Sequence, residues 1–463
     1  MEKEKSLRPF GFRDKLGYMF GDFGNDFTFI LSTMFLLKFY TDVMGVPAAI
    51  VGLMMMGAKF VDAVTDVTMG QVADRGKTTK KGKFAPWIRR VCGPVAVASF
   101  LMYAVWFKDM SLTFKIGWML FTYLLWGSVC YTAINIPYGS MASAISAEPQ
   151  DRASLSNWRT IGSTLASLVI SVILPLVVYY TDAAGNTVLS GTKMMYAALV
   201  CSVLAVVCYI FCYNLTTERV KMTPVTEKFS LKKLLNELVH NRALIGIVVS
   251  ALLLLLSQLA LSGMNQYIYP NYFGNAKAMS VAGLFVTGLT LLCSTFIVKL
   301  SSKFGKKELA IAGTSVSAVS MIILFIIHTE NVWVWCTFYL TANIGIAFFN
   351  LTCWAMITDV IDDTEVRTGV RSDGTIYSVY SFARKVGQAV ASGLTGILLT
   401  LTGYTAATAF DQAVVDNIYN ITCLAPAAGF ILLVLSMKFL YPLNKKTVEK
   451  NVAILKEKRE KES

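Results

Sequence analysis

Charge is scarce in this chain. Of its 463 residues only 15% are Asp, Glu, Lys or Arg and 55% are hydrophobic, whereas a soluble domain carries about 25% charged residues. A water-soluble globule of this length is thereby excluded. Histidine is almost missing: His240 and His328 are the only two, both at the ends of apolar segments. That argues against a histidine-based metal or catalytic centre. The nine cysteines are scattered singly, mostly inside apolar runs (Cys92, Cys130, Cys201, Cys208, Cys293, Cys353), with no pair at metal-ligand or redox spacing. They read as small apolar helix residues. There is no phosphate-cradling glycine loop, no zinc pattern and no nucleophile elbow. No polar stretch is long enough to fold as a nucleotide-binding domain. The chain is therefore not expected to be an enzyme or an ATP-driven pump, and no cofactor is expected beyond a coupling ion.

What is present instead is a succession of apolar runs, each of about 20 residues and so long enough to cross a bilayer as a helix. They predict an all-α membrane protein of twelve spans, at roughly 15–41, 47–74, 86–107, 113–137, 154–180, 192–214, 243–268, 279–300, 308–328, 331–358, 374–402 and 418–441. The implied organisation is a six-helix bundle over 1–214, a cytoplasmic linker over 215–242, a second six-helix bundle over 243–441 and a cytoplasmic tail over 442–463. That is the layout of a carrier built from two similar halves. The charged start, Met1–Lys15, runs into the first span without a small-residue cleavage site, so no removable signal peptide is expected. The net charge of +13 is not a nucleic-acid signature, because the basic residues crowd alternate connections: Arg75 to Lys83, Arg219–Lys233, Lys299–Lys307 and Lys445–Lys461. By the positive-inside rule both termini are cytoplasmic. Phe229, Leu231, Leu234, Leu235 and Leu238 among Lys and Glu predict a linker helix lying on the membrane surface. The tail from Lys445, with alternating charge, reads as a solvated and partly disordered end. The loops Asp74-Arg-Gly76-Lys77 and Ser302-Lys-Phe-Gly305-Lys306-Lys307 resemble one another, a weak echo between the halves.

The charges left inside the spans are the informative ones, because each costs about 2.5–3.5 kcal/mol on insertion scales. In a helical second span, Lys59, Asp62 and Asp66 share one face, and two carboxylates with an ammonium could bind and release a small cation. Span 1 has Asp22 and Asp26, also four apart. Span 4 brings Tyr131, Thr132 and Asn135, with Pro137 expected to break the helix and free polar backbone. Arg159 opens span 5, and Arg384 and Lys385 lie within span 11. Structural roles compete with these readings: Asp22 as a cap or partner of a basic loop, Asp62 and Asp66 as a static salt-bridge cluster, and Arg384 or Lys385 as the partner of Asp359 or Asp363.

At Gly21-Asp-Phe-Gly-Asn-Asp26, Tyr40-Thr-Asp-Val43, Val61-Asp-Ala-Val-Thr-Asp66, Gly82-Lys-Phe-Ala-Pro-Trp87, Asn135-Ile-Pro-Tyr-Gly-Ser140 and Asp359-Val-Ile-Asp through Gly369-Val-Arg-Ser-Asp-Gly374 to Tyr377, the chain resembles the glycoside–pentoside–hexuronide:cation symporters, a family with the major facilitator fold. The resemblance runs in order through both halves. It implies that Asp62, Asp66 and Thr132 bind the coupling cation with Thr65 beside them. It also implies that Asp26, Asn135 and Arg159, with Tyr131 adjoining, contact the sugar, and that Lys385, with Lys59, couples the two. Thr65 stands where the family's melibiose carrier has an asparagine, which leaves the ion open between Na+ and H+. Asn135 and Gly139 stand where that carrier has an acid and a tryptophan, so galactoside specificity does not transfer. One acid fewer, with Arg159, Arg384 and Lys385 kept, suits an anionic sugar such as a hexuronide. The expected function is cation-coupled symport of a glycoside, pentoside or hexuronide by a monomer in the plasma membrane. A carrier of lipid or another amphiphile on the same fold is the alternative. Membrane lipid and a small sugar are the expected partners, and nucleic acid is not.

Overall fold

The computed structural model describes residues 8–76, 78–79, 81–220, 241–369 and 373–462. They form almost only helices. The first seven are α1 (Phe12–Asp42), α2 (Ala48–Arg75), α3 (Ala85–Leu101), α4 (Leu112–Leu124), α5 (Thr132–Ile145), α6 (Pro149–Leu168) and α7 (Leu174–Val178). Then follow α8 (Gly191–Leu215), α9 (Arg242–Tyr267), α10 (Ala276–Phe304), α11 (Lys306–Ile327), α12 (Val332–Thr368), α13 (Asp373–Leu401), α14 (Gln412–Phe439) and α15 (Lys445–Glu462). Among the described residues ten helical runs are long and apolar enough to span a membrane; α1 and α13, long helices richer in charge, are consistent with the expected twelve. Polar residues mark the starts as capping chemistry requires. Ser111, Ser190, Asn241 and Asn275 each accept the backbone N–H three residues on, and Asn331 accepts that of Trp333.

Two compact units result. One is Met1–Glu227 with Tyr404–Ala407; the other is Lys228–Gly403 with Thr408–Ser463. In the first, α1 packs against α6 and α8, and α2 against α5. A small antiparallel hairpin pairs Tyr179 with Leu189 and Thr181 with Thr187. In the second unit, α11 packs against α12 and α14, and α9 against α13 and α14. Where α11 and α12 cross, a Cβ on Gly345 would fall 1.9 Å from the Gly313 carbonyl oxygen, so the two backbones touch at small residues as membrane helices commonly do. All nine cysteines are buried free thiols.

Three expectations change. Pro137 does not break its helix, since α5 runs on to Ile145; proline's fixed φ is itself helical, and only one N–H is lost. The irregularity lies upstream, where Leu125–Tyr131 winds as a π-helical turn joining α4 to α5. The tail is an ordered helix rather than a loose end: Asn451 of α15 donates to Asp363 of α12 at 3.1 Å, and Leu455 is buried. The surface helix expected in the linker at 225–241 lies outside the described residues, all but its last residue, Asn241.

Candidate functional site

Helix α2 carries Lys59, Asp62, Thr65 and Asp66, and the π-helical turn and the first residue of α5 each present a hydroxyl to it. Ser128 Oγ donates to Asp62 Oδ1, and Thr132 Oγ1 donates to Asp66 Oδ1 at 2.8 Å. Both pairs are separated by 66 residues, so a pair of acids four apart meets a pair of hydroxyls four apart in register. Gly127 lets the helices come this near, since a Cβ there would lie 3.2 Å from Asp62 Oδ1. Thr132 Oγ1 also reaches the Gly127 carbonyl at 3.1 Å. Thr65 turns back on its own helix and donates to the Asp62 carbonyl at 3.1 Å. Lys59 places its ammonium 5.3 Å from the Phe29 ring centre, and Phe29 stacks on Tyr131 at 5.8 Å. Lys59, Asp62, Asp66, Thr132 and Tyr131 thus gather in one region of the first unit.

The other candidates of that unit form a second cluster on α1, α5 and α6. Arg159 Nε donates to Asp22 Oδ1 at 2.9 Å, so Asp22 is the partner of a membrane arginine rather than a helix cap. The same guanidinium lies 5.5 Å from the Tyr138 ring centre, and Tyr138 stacks on Tyr18 at 4.6 Å. Asp26, one turn beyond Asp22 and partly exposed, is within electrostatic reach of Asp22 and Arg159. Asn135 Oδ1 accepts from Asn25 at 3.3 Å, and Asn25 accepts from the Tyr209 hydroxyl at 2.8 Å.

Lys385 belongs to the second unit and is exposed on α13. Its neighbour Arg384 donates to the Tyr380 hydroxyl at 3.2 Å and sits 5.8 Å from the ring centres of both Trp354 and Tyr380. Trp354 in turn stacks on Tyr377 at 5.3 Å. Among the described residues no carboxylate pairs with Arg384. The two acids considered as its partners are engaged elsewhere: Asp359 with Lys306 at 2.6 Å and Asp363 with Arg367 at 3.1 Å.

Matches to known proteins agree with this architecture. Residues 17–445 match the model of the family described as MFS/sugar transport protein. The chain belongs to that family. It is 31% identical over 454 residues to a putative sulfoquinovose importer of Escherichia coli (strain K12), covering 97% of this chain and 95% of that protein. It is 30% identical over 436 residues to a glucuronide carrier protein homolog of the same organism, covering 94% and 93%. The crystal structure of a bacterial homologue of the human lysosomal transporter Spinster, inward-facing and unoccupied, superposes with a TM-score of 0.69 at 12% identity, over 94% of this chain and 97% of that one. The chain is therefore a membrane transporter of the sugar-transport type with the major facilitator fold, and not an enzyme.

Ser128, Trp354 beside Arg384 and the Gln258–Asn350 amide pair (3.1 Å) escaped the sequence reading. Ser128 had a visible signal: it lies four residues before Thr132, as Asp62 lies four before Asp66.

Proposed function

We propose that this transporter is a cation-coupled symporter of an anionic sugar, a hexuronide or similarly acidic glycoside, working by alternating access. The observation that carries the coupling is the register of Asp62 and Asp66 with Ser128 and Thr132. Two carboxylates inside a membrane helix repel one another, and a bound cation offsets that repulsion. A sugar that favours the same arrangement then raises the affinity for the cation, and the cation raises the affinity for the sugar equally. Asp26, Asn135, Arg159 and Tyr131 hold the sugar, and Lys59 and Lys385 link its binding to that of the ion.

Arg384 supports the acidic substrate. A guanidinium in an apolar span is costly without a partner, and a carboxylate or sulfonate matches its planar fork. Two relatives are named for sugars of that kind, sulfoquinovose and glucuronides. The protein is proposed to act as a monomer in the plasma membrane with both termini cytoplasmic, as the basic loops favour.

The test is uptake into vesicles across a panel of neutral and acidic sugars, with sodium and proton gradients imposed separately. Acidic sugars should accumulate under one of the two gradients. Asp66→Cys should abolish accumulation, and Arg384→Gln should lower the preference for acidic over neutral sugars by tenfold or more, about 1.4 kcal/mol. Full accumulation by Asp66→Cys would overturn the coupling, and equal uptake of acidic sugars by Arg384→Gln would overturn the anion reading.

A further inference from the structure

In the second unit two carboxamides, Gln258 of α9 and Asn350 of α12, meet inside apolar spans. Asn350 Nδ2 donates to Gln258 Oε1 at 3.1 Å, and both side chains are half-buried. Asn350 is the middle residue of α12 (Val332–Thr368), so the pair lies far from that helix's ends. One bond between two amides leaves most of their capacity open. Gln258 keeps two N–H donors, and Asn350 keeps one N–H and its carbonyl oxygen. Among the described residues neither amide makes another side-chain hydrogen bond. The pair stands near Arg384, which meets no carboxylate among the described residues. Trp354 follows Asn350 by one turn on the same face of α12, and Arg384 sits 5.8 Å from the Trp354 ring centre. The rise from Asn350 to Trp354 is about 6 Å, a span that one sugar ring covers.

We infer that Gln258 and Asn350 are specificity residues that read the hydroxyl pattern of the sugar, whose acid group lies at Arg384. The inference rests on the reading of this chain as a carrier of an acidic sugar. A sugar hydroxyl both donates and accepts, so its neutral match is a group that offers both. The two amides offer both to neighbouring hydroxyls at once. An N–H of Gln258 donates to one hydroxyl oxygen, and Asn350 Oδ1 accepts from the next O–H. A carboxylate only accepts and a guanidinium only donates, so neither reads such a pattern alone. Arg384 then fixes which end of the sugar enters, and the amides fix which epimer is held. An epimer with one hydroxyl turned away leaves an amide group without water and without a partner, and that loss is what discriminates. Amides in membrane helices often do no more than join two helices, and joining alone carries no preference among epimers.

The experiment compares epimers in uptake by vesicles that contain the full-length protein. Two series are used, methyl glucuronide and methyl glucoside, each with its epimers at C2, C3 and C4. The wild type should reject at least one epimer by tenfold or more. Asn350→Ala and Gln258→Ala should each lower that preference about tenfold, through lost uptake of the favoured epimer. Their preference for acidic over neutral sugars should stay as in the wild type. Arg384→Gln should do the reverse, losing the acid preference and keeping the epimer preference. A bond that merely joins α9 to α12 would, when removed, lower uptake of all epimers in proportion. The inference is overturned if both alanine variants keep the wild-type epimer ratio, or if the wild type distinguishes no epimers in either series. The neutral series keeps the two readings apart: a carrier that prefers neutral sugars fails the acidic reading, while its epimer ratio still tests the amides.

Discussion

In each unit the loop after the second span turns through a glycine of positive φ, and the two loops are held in different ways. In the first unit the turn is Thr79–Gly82, with Gly82 at φ 115° and reciprocal backbone bonds of 2.9 and 3.0 Å. At the start of α3, where N–H groups have no partner within the helix, three consecutive N–H groups need an acceptor: those of the two residues before the helix and of its first residue. All three donate to one carboxylate, Glu218, which arrives from beyond α8: Lys83 at 2.7 Å, Phe84 at 2.9 Å and Ala85 at 2.6 Å. Beside it, Asp14 of α1 accepts from Arg8 at 2.7 Å and Arg219 at 2.9 Å, so the end of α8 is tied to the starts of α1 and α3. In the second unit Gly305, at φ 101°, joins α10 directly to α11. The carboxylate there is local: Glu308 of the first turn accepts the Lys445 N–H at 3.3 Å with one oxygen and leaves the other buried without a partner among the described residues. Lysines make the ties instead, Lys307 to the Tyr441 carbonyl at 2.5 Å and Lys445 to the Lys303 carbonyl at 3.0 Å. A distant acid that satisfies three buried donors is a stronger device than a local acid that satisfies one, because unmet buried donors are what cost most.

That difference can be broken at four residues. Glu218→Ala should have the largest effect, a loss of about 2–3 kcal/mol, since three N–H groups lose a charged acceptor together; a lowered melting midpoint checks it. Gly82→Ala comes next. Its Cβ would lie 2.3–2.6 Å from the Glu218 carboxylate in a backbone conformation that alanine resists, for a cost of about 1–3 kcal/mol. Gly305→Ala should cost less, about 1 kcal/mol, because the atom it meets, Glu308 Oε2 at 2.1 Å, ends a flexible side chain that can move aside. Glu308→Gln should be nearly silent, within about 0.5 kcal/mol. Equal melting midpoints for Glu218→Ala and Glu308→Gln would erase the distinction between the two loops.

The echo between the halves, read from Gly76 and Gly305, pointed to the wrong glycine. Gly76 is extended at φ −61°, ψ 144°, and the counterpart of Gly305 is Gly82. Composition marks a glycine loop, but only the backbone shows which glycine has positive φ. The tail was misread for a related cause. High local charge suggests solvation, yet Asn451 and Leu455 recur on one helical face that packs on α12, and a single apolar contact per turn is too faint to read against so many charges. Pro137 misled because a helix breaker was counted at full weight, although its position allows the helix to continue.

Other parts were legible because they are local. A run of about 20 apolar residues is a span wherever it occurs, and acids four apart on a helix share a face whatever surrounds them. The sequence alone therefore determined the apolar spans and the pairing of Asp62 with Asp66 on one helix. Tertiary structure decided what those acids face, that Arg159 is matched by Asp22 while Arg384 meets no acid among the described residues, and that Glu218 caps a helix 135 residues before it. The reason is distance along the chain. Burial length and periodicity are written in neighbouring residues, whereas the partner of a charge is set by how helices pack.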